Sequence, residues 1–255
     1  MTSLWKLESD GGQVTVSQIG ATIVSWKIDG VELLYLSDSA VLDGSRAIRG
    51  GIPIVFPWFG PKSDLAQHGF ARTRKWTLEK QTKDALHLYL EWDDTEQKET
   101  KNHLSGRIDY VIKLLRGRLR LELMPTTTGA YQALFHTYFR ISSVSGVFIN
   151  GLKGLNFQEK ADNYSMTFVE EAESLCISKK IDRLYLNFPG SLSLQEGDSC
   201  IEITSNSRNV VIWNPWKEHG IADLASYESM ICIENGDLKP ICKEPRNLWV
   251  EYSKK

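Results

Sequence analysis

No two of the four cysteines, Cys176, Cys200, Cys232 and Cys242, stand at C-x-x-C spacing. That excludes a zinc knuckle or a redox dithiol and leaves four reduced thiols. Neither sign of charge prevails: the formal net charge is −2, which removes the basic face that nucleic-acid binders carry. No run of about eighteen residues stays apolar, as a membrane-spanning helix requires. The opening MTSLWKLESDGG has neither the basic start nor the apolar core of a signal peptide. A G-x-G-x-x-G fingerprint and a metal-spaced histidine cluster are also missing, so neither a nicotinamide or flavin cofactor nor a metal is expected. These gaps predict a soluble, cytoplasmic monomer with no nucleic-acid or membrane partner. Helical periodicity is confined to KEHGIADLASY, residues 217–227, where a short helix is expected.

What the chain does have is period-two alternation rich in β-branched and aromatic residues. It recurs in LWKLES, QVTVSQI, TIVSWKI, ALHLYLEW, RIDYVIKLL, RLRLELMP, ALFHTYFRI, SLSLQ, CIEITS, NVVIWN, MICIEN and NLWVEY. Turn signals such as Asp29-Gly30 and Arg116-Gly117 punctuate these segments. Many short strands with almost no helix predict an all-β architecture, a large antiparallel β-sandwich. No composition break, linker or fixed-period repeat divides the chain, so residues 1–255 are expected to form a single domain. The polar run from Asp93 to His103 is expected to be a solvated loop.

Several segments carry chemistry. On a strand ALFHTYFR, alternate side chains share a face, setting Leu134, His136, Tyr138 and Arg140 against Phe135, Thr137 and Phe139. The apolar trio takes the core, and His136 meets solvent or a cleft. MICIENG ends an apolar strand on Glu234, which either reaches solvent or enters a pocket. NVVIWNPW combines Trp213 and Trp216 with amides, a pairing that suits a core or the faces and hydroxyls of a sugar. RGGIP and QHGFAR place arginines beside glycines that permit tight turns or close ligand approach. Their guanidinium forks suit bidentate capture of phosphate or carboxylate, and suit surface ion pairing equally.

Taken in order, IRGGIPIVFPWFG, QHGFAR, FHTYF, DRLY, VVIWNPW and MICIENG closely resemble the glucose-6-phosphate 1-epimerases, or hexose-6-phosphate mutarotases, of the aldose 1-epimerase superfamily. The resemblance spans most of the chain. It implies a galactose mutarotase-like supersandwich and an isomerase whose small-molecule substrate is a hexose 6-phosphate. It further implies that His136 and Glu234 are the acid–base pair flanking the sugar, His136 as imidazolium at the ring oxygen and Glu234 as carboxylate at the C1 hydroxyl. Arg49, Gln67, Arg72 and Asp182 match substrate-binding positions, the arginines toward the phosphate. His68, Arg74 and Trp213 are further candidates, whereas Arg46 defaults to the surface. Trp58 and Asn235 depart from the pattern in loops expected to shape sugar preference. The alternatives are an epimerase of unphosphorylated aldoses and a non-catalytic sugar-binding protein of the same fold.

Overall fold

In the computed structural model, which describes residues 3–63, 65–93, 105–217, 220–224 and 226–255, the alternating segments form twenty strands. They are β1 (Leu4–Ser9), β2 (Gly12–Ser17), β3 (Ile23–Ile28), β4 (Val31–Glu32), β5 (Ile54–Val55), β6 (Thr77–Gln81), β7 (Ala85–Trp92), β8 (Gly106–Leu115), β9 (Arg118–Thr127) and β10 (Tyr131–Arg140). The second half supplies β11 (Val147–Asn150), β12 (Asn156–Glu159), β13 (Phe168–Val169), β14 (Ser174–Cys176), β15 (Ile181–Leu186), β16 (Ser191–Glu196), β17 (Ser199–Ser205), β18 (Asn209–Asn214), β19 (Met230–Cys242) and β20 (Leu248–Lys254). All pair antiparallel into three sheets: β1-β2-β3-β4, β13-β12-β15-β18-β19-β10-β5, and β14-β11-β16-β17-β20-β9-β8-β7-β6.

The nine-stranded sheet keeps the alternation that its sequence announces. In β8, Ile108, Tyr110, Ile112 and Leu114 point inward while Asp109 and Lys113 do not. The inward faces of the two large sheets meet in one apolar cluster, with Leu121, Tyr110 and Val250 from one side and Phe135, Phe139 and Ile233 from the other. Each such large side chain contributes roughly 1.5–3 kcal/mol when fully buried. Thr137, the polar member of the inward face of β10, shares a hydrogen bond of 2.5 Å with Tyr252 Oη.

The seven-stranded sheet differs. Its central strands β10, β18 and β19 are buried on both faces. One face packs on the core, and the other lies beneath loops and a cavity. That second face positions the candidate site.

Among the described residues of 217–227 the expected helix is absent; they form turns and irregular backbone. Tertiary partners take the groups a helix would use. Asn214 Nδ2 donates to the carbonyls of Tyr227 and Met230 at 2.8 Å each. Ser37 Oγ donates to the Asp223 carbonyl at 2.6 Å, and Gly220 sits at φ +66°. Apart from Asp93, the polar run 93–103 lies outside the described residues. Among the described residues, no helix is long and apolar enough to cross a membrane.

Candidate active site

The register of the sheet builds the floor. Antiparallel pairing sets Glu234 of β19 opposite His136 of β10 and Val211 of β18, and Val211 opposite Leu184 of β15. The neighbouring row is Asp182, Trp213, Cys232 and Tyr138. Directly opposite residues share a face, so both rows project outward from the core side that carries Phe135 and Ile233. His136 Nε2 lies 3.3 Å from Glu234 Oε1, and the two residues are only 7% and 2% exposed. The pair therefore does not flank a sugar-sized gap. It sits side by side, as a cross-strand pair. Tyr138 stacks on His136 with centroids 4.7 Å apart, and Trp213 approaches edge-on at 6.1 Å. His136 Nδ1 and Glu234 Oε2 have no hydrogen-bond partner within the protein.

Burial sets the charge of this pair. It pushes the His136 imidazolium well below its usual range, helped by His68, Arg72 and Arg49. It pushes Glu234 well above the carboxylate range, helped by Asp182 and opposed by Lys160 and Arg72. Both shifts run toward the neutral forms and away from the expected imidazolium and carboxylate, and the 3.3 Å separation of Nε2 and Oε1 allows a proton to pass between the two groups.

The QHGFAR turn forms one wall. His68 and Gly69 both take positive φ, +64° and +74°, and the backbone there presses against Phe56, whose carbonyl accepts from Phe70 N–H at 3.0 Å. A Cβ on Gly69 would lie 1.9 Å from that oxygen. Gly69→Ala is expected to cost at least about 2 kcal/mol through strain and displacement, read from the midpoint of urea unfolding at unchanged slope. His68 Nδ1 accepts from Gly60 N–H at 3.1 Å, which fixes the neutral Nε2–H form, and burial holds its pKa at about 3. Gln67 Nε2 stands 3.1 Å from that Nε2. An Nε2–H needs an acceptor, so the two ends of the Gln67 amide are assigned the other way round, with its oxygen at this position. Arg72 donates to the Gln67 carbonyl, and burial lowers its pKa to about 10, which leaves it cationic near neutrality.

Arg49 and Asp182 line the cavity at the two ends of the second row, Arg49 beside Tyr138 and Asp182 beyond Trp213. Arg49 Nε donates to Asp223 at 3.0 Å and its Nη1 to Tyr138 Oη at 3.2 Å. Asp182 accepts from Tyr164 Oη at 3.1 Å and lies 3.6 Å from Lys160 Nζ; burial raises its pKa against the pull of Lys160. Arg49, Gln67, His68, Arg72, His136, Asp182, Trp213 and Glu234 all line one cavity of about 340 Å³. Arg74 stands apart, over the Phe70 ring beside a different depression, and Arg46 is exposed and donates to the Ser39 carbonyl. Trp216 packs on Tyr227 instead of entering the cavity.

Sequence reading overlooked Lys160, Lys180, Tyr138 and Phe59 in the lining and Asp223 behind Arg49. A weak signal existed for two of them: Lys180 lies two residues before Asp182, and Tyr138 two after His136 on the same face. Neither Trp58 nor Asn235 lines the cavity, although Phe59, next to Trp58, does. Trp58 is buried in the core cluster and donates to the Ala66 carbonyl. Asn235 alternates away from Glu234 into the interior, where it donates to Ser207 Oγ at 3.4 Å. Chemically, the cavity offers an imidazole and a carboxyl group in contact and four basic side chains, Arg49, Arg72, Lys160 and Lys180, in its lining.

A family profile for aldose 1-epimerase matches residues 3–243. A Cenchrus ciliaris protein named "Putative glucose-6-phosphate 1-epimerase" is 30% identical over 253 residues, covering 90% of this chain and 77% of its own. An Escherichia coli (strain K12) protein of the same name is 30% identical over 228 residues, with coverages of 84% and 76%. Among solved structures, a "putative mutarotase (YeaD)" from Salmonella typhimurium superposes with a TM-score of 0.89 at 24% identity, covering 99% of this chain and 90% of that one. Galactose 1-epimerase from Lactobacillus acidophilus NCFM superposes with a TM-score of 0.77 at 14% identity, covering 100% and 98%. These two likenesses identify the fold as the galactose mutarotase-like β-sandwich predicted from the strand pattern and the motifs.

Proposed function

The chain belongs to the aldose 1-epimerase family of isomerases, and from that premise we propose that it interconverts the α and β anomers of glucose 6-phosphate and related aldohexose 6-phosphates. The observation that carries the reading is a buried His136–Glu234 pair in contact at 3.3 Å in a cavity that Arg49 and Arg72 also line. Residues 1–255 act in this reading as one domain, a cytoplasmic monomer working on a small-molecule substrate.

Ring opening takes a proton from the C1 hydroxyl and delivers one to the ring oxygen as the C1–O5 bond breaks and the aldehyde forms. His136 and Glu234 exchange these protons, one group accepting while the other donates. The pair ends with the protons it began with. Rotation about C1–C2 and closure by the reverse transfer give the other anomer. Atoms and electrons balance without an external oxidant, reductant or carrier. The neutral form that burial favours keeps the two groups ready for transfer without stabilising a permanent ion pair. Trp213 offers a ring edge and Asp182 an acceptor to the sugar, while Arg49 and Arg72 take the phosphate. Gln67 completes the grip with its amide.

Phosphate recognition is tested with Arg72→Ala, the cleaner choice because Arg49 also holds Asp223. A charge-assisted bond is worth about 1.5–3 kcal/mol, so KM for glucose 6-phosphate should rise about 10- to 150-fold. Exchange of unphosphorylated glucose should be unchanged. Anomer exchange followed by NMR measures both, and equal losses on the two sugars would refute the phosphate assignment.

A further inference from the structure

The mechanism leaves Cys232 unused, although it stands on the same face of β19 as Glu234 and shares that strand's pairing with β10. The nitrogen of His136, the sulfur of Cys232 and a carboxylate oxygen of Glu234 all lie within 4.8 Å of one another. We propose that these three side chains form a binding site for a thiophilic divalent cation of the zinc class, and that its occupation blocks anomer exchange. The second half rests on the function proposed above, because it requires His136 and Glu234 to be the groups that move protons.

The donor set carries the argument. One imidazole nitrogen, one thiolate and one carboxylate match the mixed N, S and O ligation that zinc accepts, with a fourth position left open. Tetrahedral bonds of about 2.0–2.3 Å set ligand atoms about 3.3–3.8 Å apart, so the three atoms need to close by little more than about 1 Å. Glu234 Oε2, on a residue 2% exposed, has no protein partner to give up. Cys232 is fully buried, whereas His136 and Glu234 line the cavity, so the ion enters from the cavity side. Metal binding releases ligand protons. The cluster of Glu79, His87 and Asp109 makes a useful contrast. Its carboxylates are already engaged by Arg107 at 2.6–3.1 Å on the protein surface, and it offers no soft ligand.

The test uses the full chain with the accessible Cys176 and Cys200 changed to Ser, and Cd²⁺ as the probe because its thiolate charge-transfer band reports sulfur ligation directly. One Cd²⁺ per chain with that band is expected. The band should vanish in Cys232→Ala and in the near-isosteric Cys232→Ser, with folding checked by near-ultraviolet circular dichroism. His136→Ala should weaken Cd²⁺ by at least about tenfold, the lower end of what loss of even an outer partner costs. Zn²⁺ should inhibit glucose 6-phosphate exchange reversibly by chelator, and Cys232→Ala should lose that sensitivity. No band, or a band retained without Cys232, overturns the site. A band with undiminished exchange overturns the inhibition. A chain that exchanges no anomers even under chelator counts against the proposed function, and the band still decides the site.

Discussion

Glu234→Gln is expected to lower kcat for anomer exchange of glucose 6-phosphate by about 10²–10⁴-fold, the range that general acid–base assistance contributes, with KM little changed. The amide keeps the size of the side chain and its place opposite His136 on β10, but it neither accepts nor releases the proton that the reaction moves. The same variant should fold at least as well as the wild type, and pH separates the two. Burial raises the native pKa of Glu234, so its contribution to stability is complete below the unfolded value of about 4.3. That contribution is lost as pH rises through the raised native pKa. Glutamine has no such dependence. The difference in Tm, variant minus wild type, should therefore grow more positive from acid to alkaline buffer. Exchange close to the wild-type rate in this variant would end the assignment of Glu234.

His136→Ala is expected to fall within the same 10²–10⁴-fold range, and the double variant with Glu234→Gln should be scarcely slower than either single one. Groups that act as one unit lose their effect together, so their costs do not multiply. Line-broadening NMR on the three variants makes the comparison. A double variant whose loss equals the product of the single losses would mean that the two groups work separately, against the 3.3 Å contact. His136→Ala should also destabilise the fold, since it removes the ring that stacks on Tyr138 at 4.7 Å and leaves Glu234 buried without its partner. The sign of the histidine's own pH effect is opposite to that of Glu234. With a depressed native pKa, its contribution is complete above about pH 6.5 and is lost as pH falls through the native value.

The strand pattern was legible wherever one face meets the core and the other meets solvent, as in β8 and β9, because such strands alternate. Short or polar strands escaped. Ile54–Val55 sits between prolines and pairs for only two residues with β10. Ile181–Leu186 was noticed for its DRLY motif and not as a strand, since Asp182 and Arg183 interrupt its apolar run. The 217–227 segment has helix-compatible residues, yet Asn214 just before it and Ser37 and Arg49 from a distant part of the chain hold it open. The site followed the same division. His136 and Glu234 were nameable from their motifs, but their direct contact depends on a register between strands about a hundred residues apart. Lys160 carries no local signal, because it reaches Asp182 only through the pairing of β12 with β15. The burial of the pair was also hidden. Residue type suggests ions, and burial pushes both groups toward their neutral forms.

The His136–Glu234 pair stands on adjacent central strands whose backbone hydrogen bonds run on both sides, while Arg49, Gln67 and Arg72 ride on connecting segments. Under the proposed function, bond-making geometry and ligand choice are thereby under separate control. Insertions or exchanges in the connectors would then retune which sugar is admitted without shifting the proposed proton donor and acceptor. A lineage built on this frame can change its diet while its chemistry stands still.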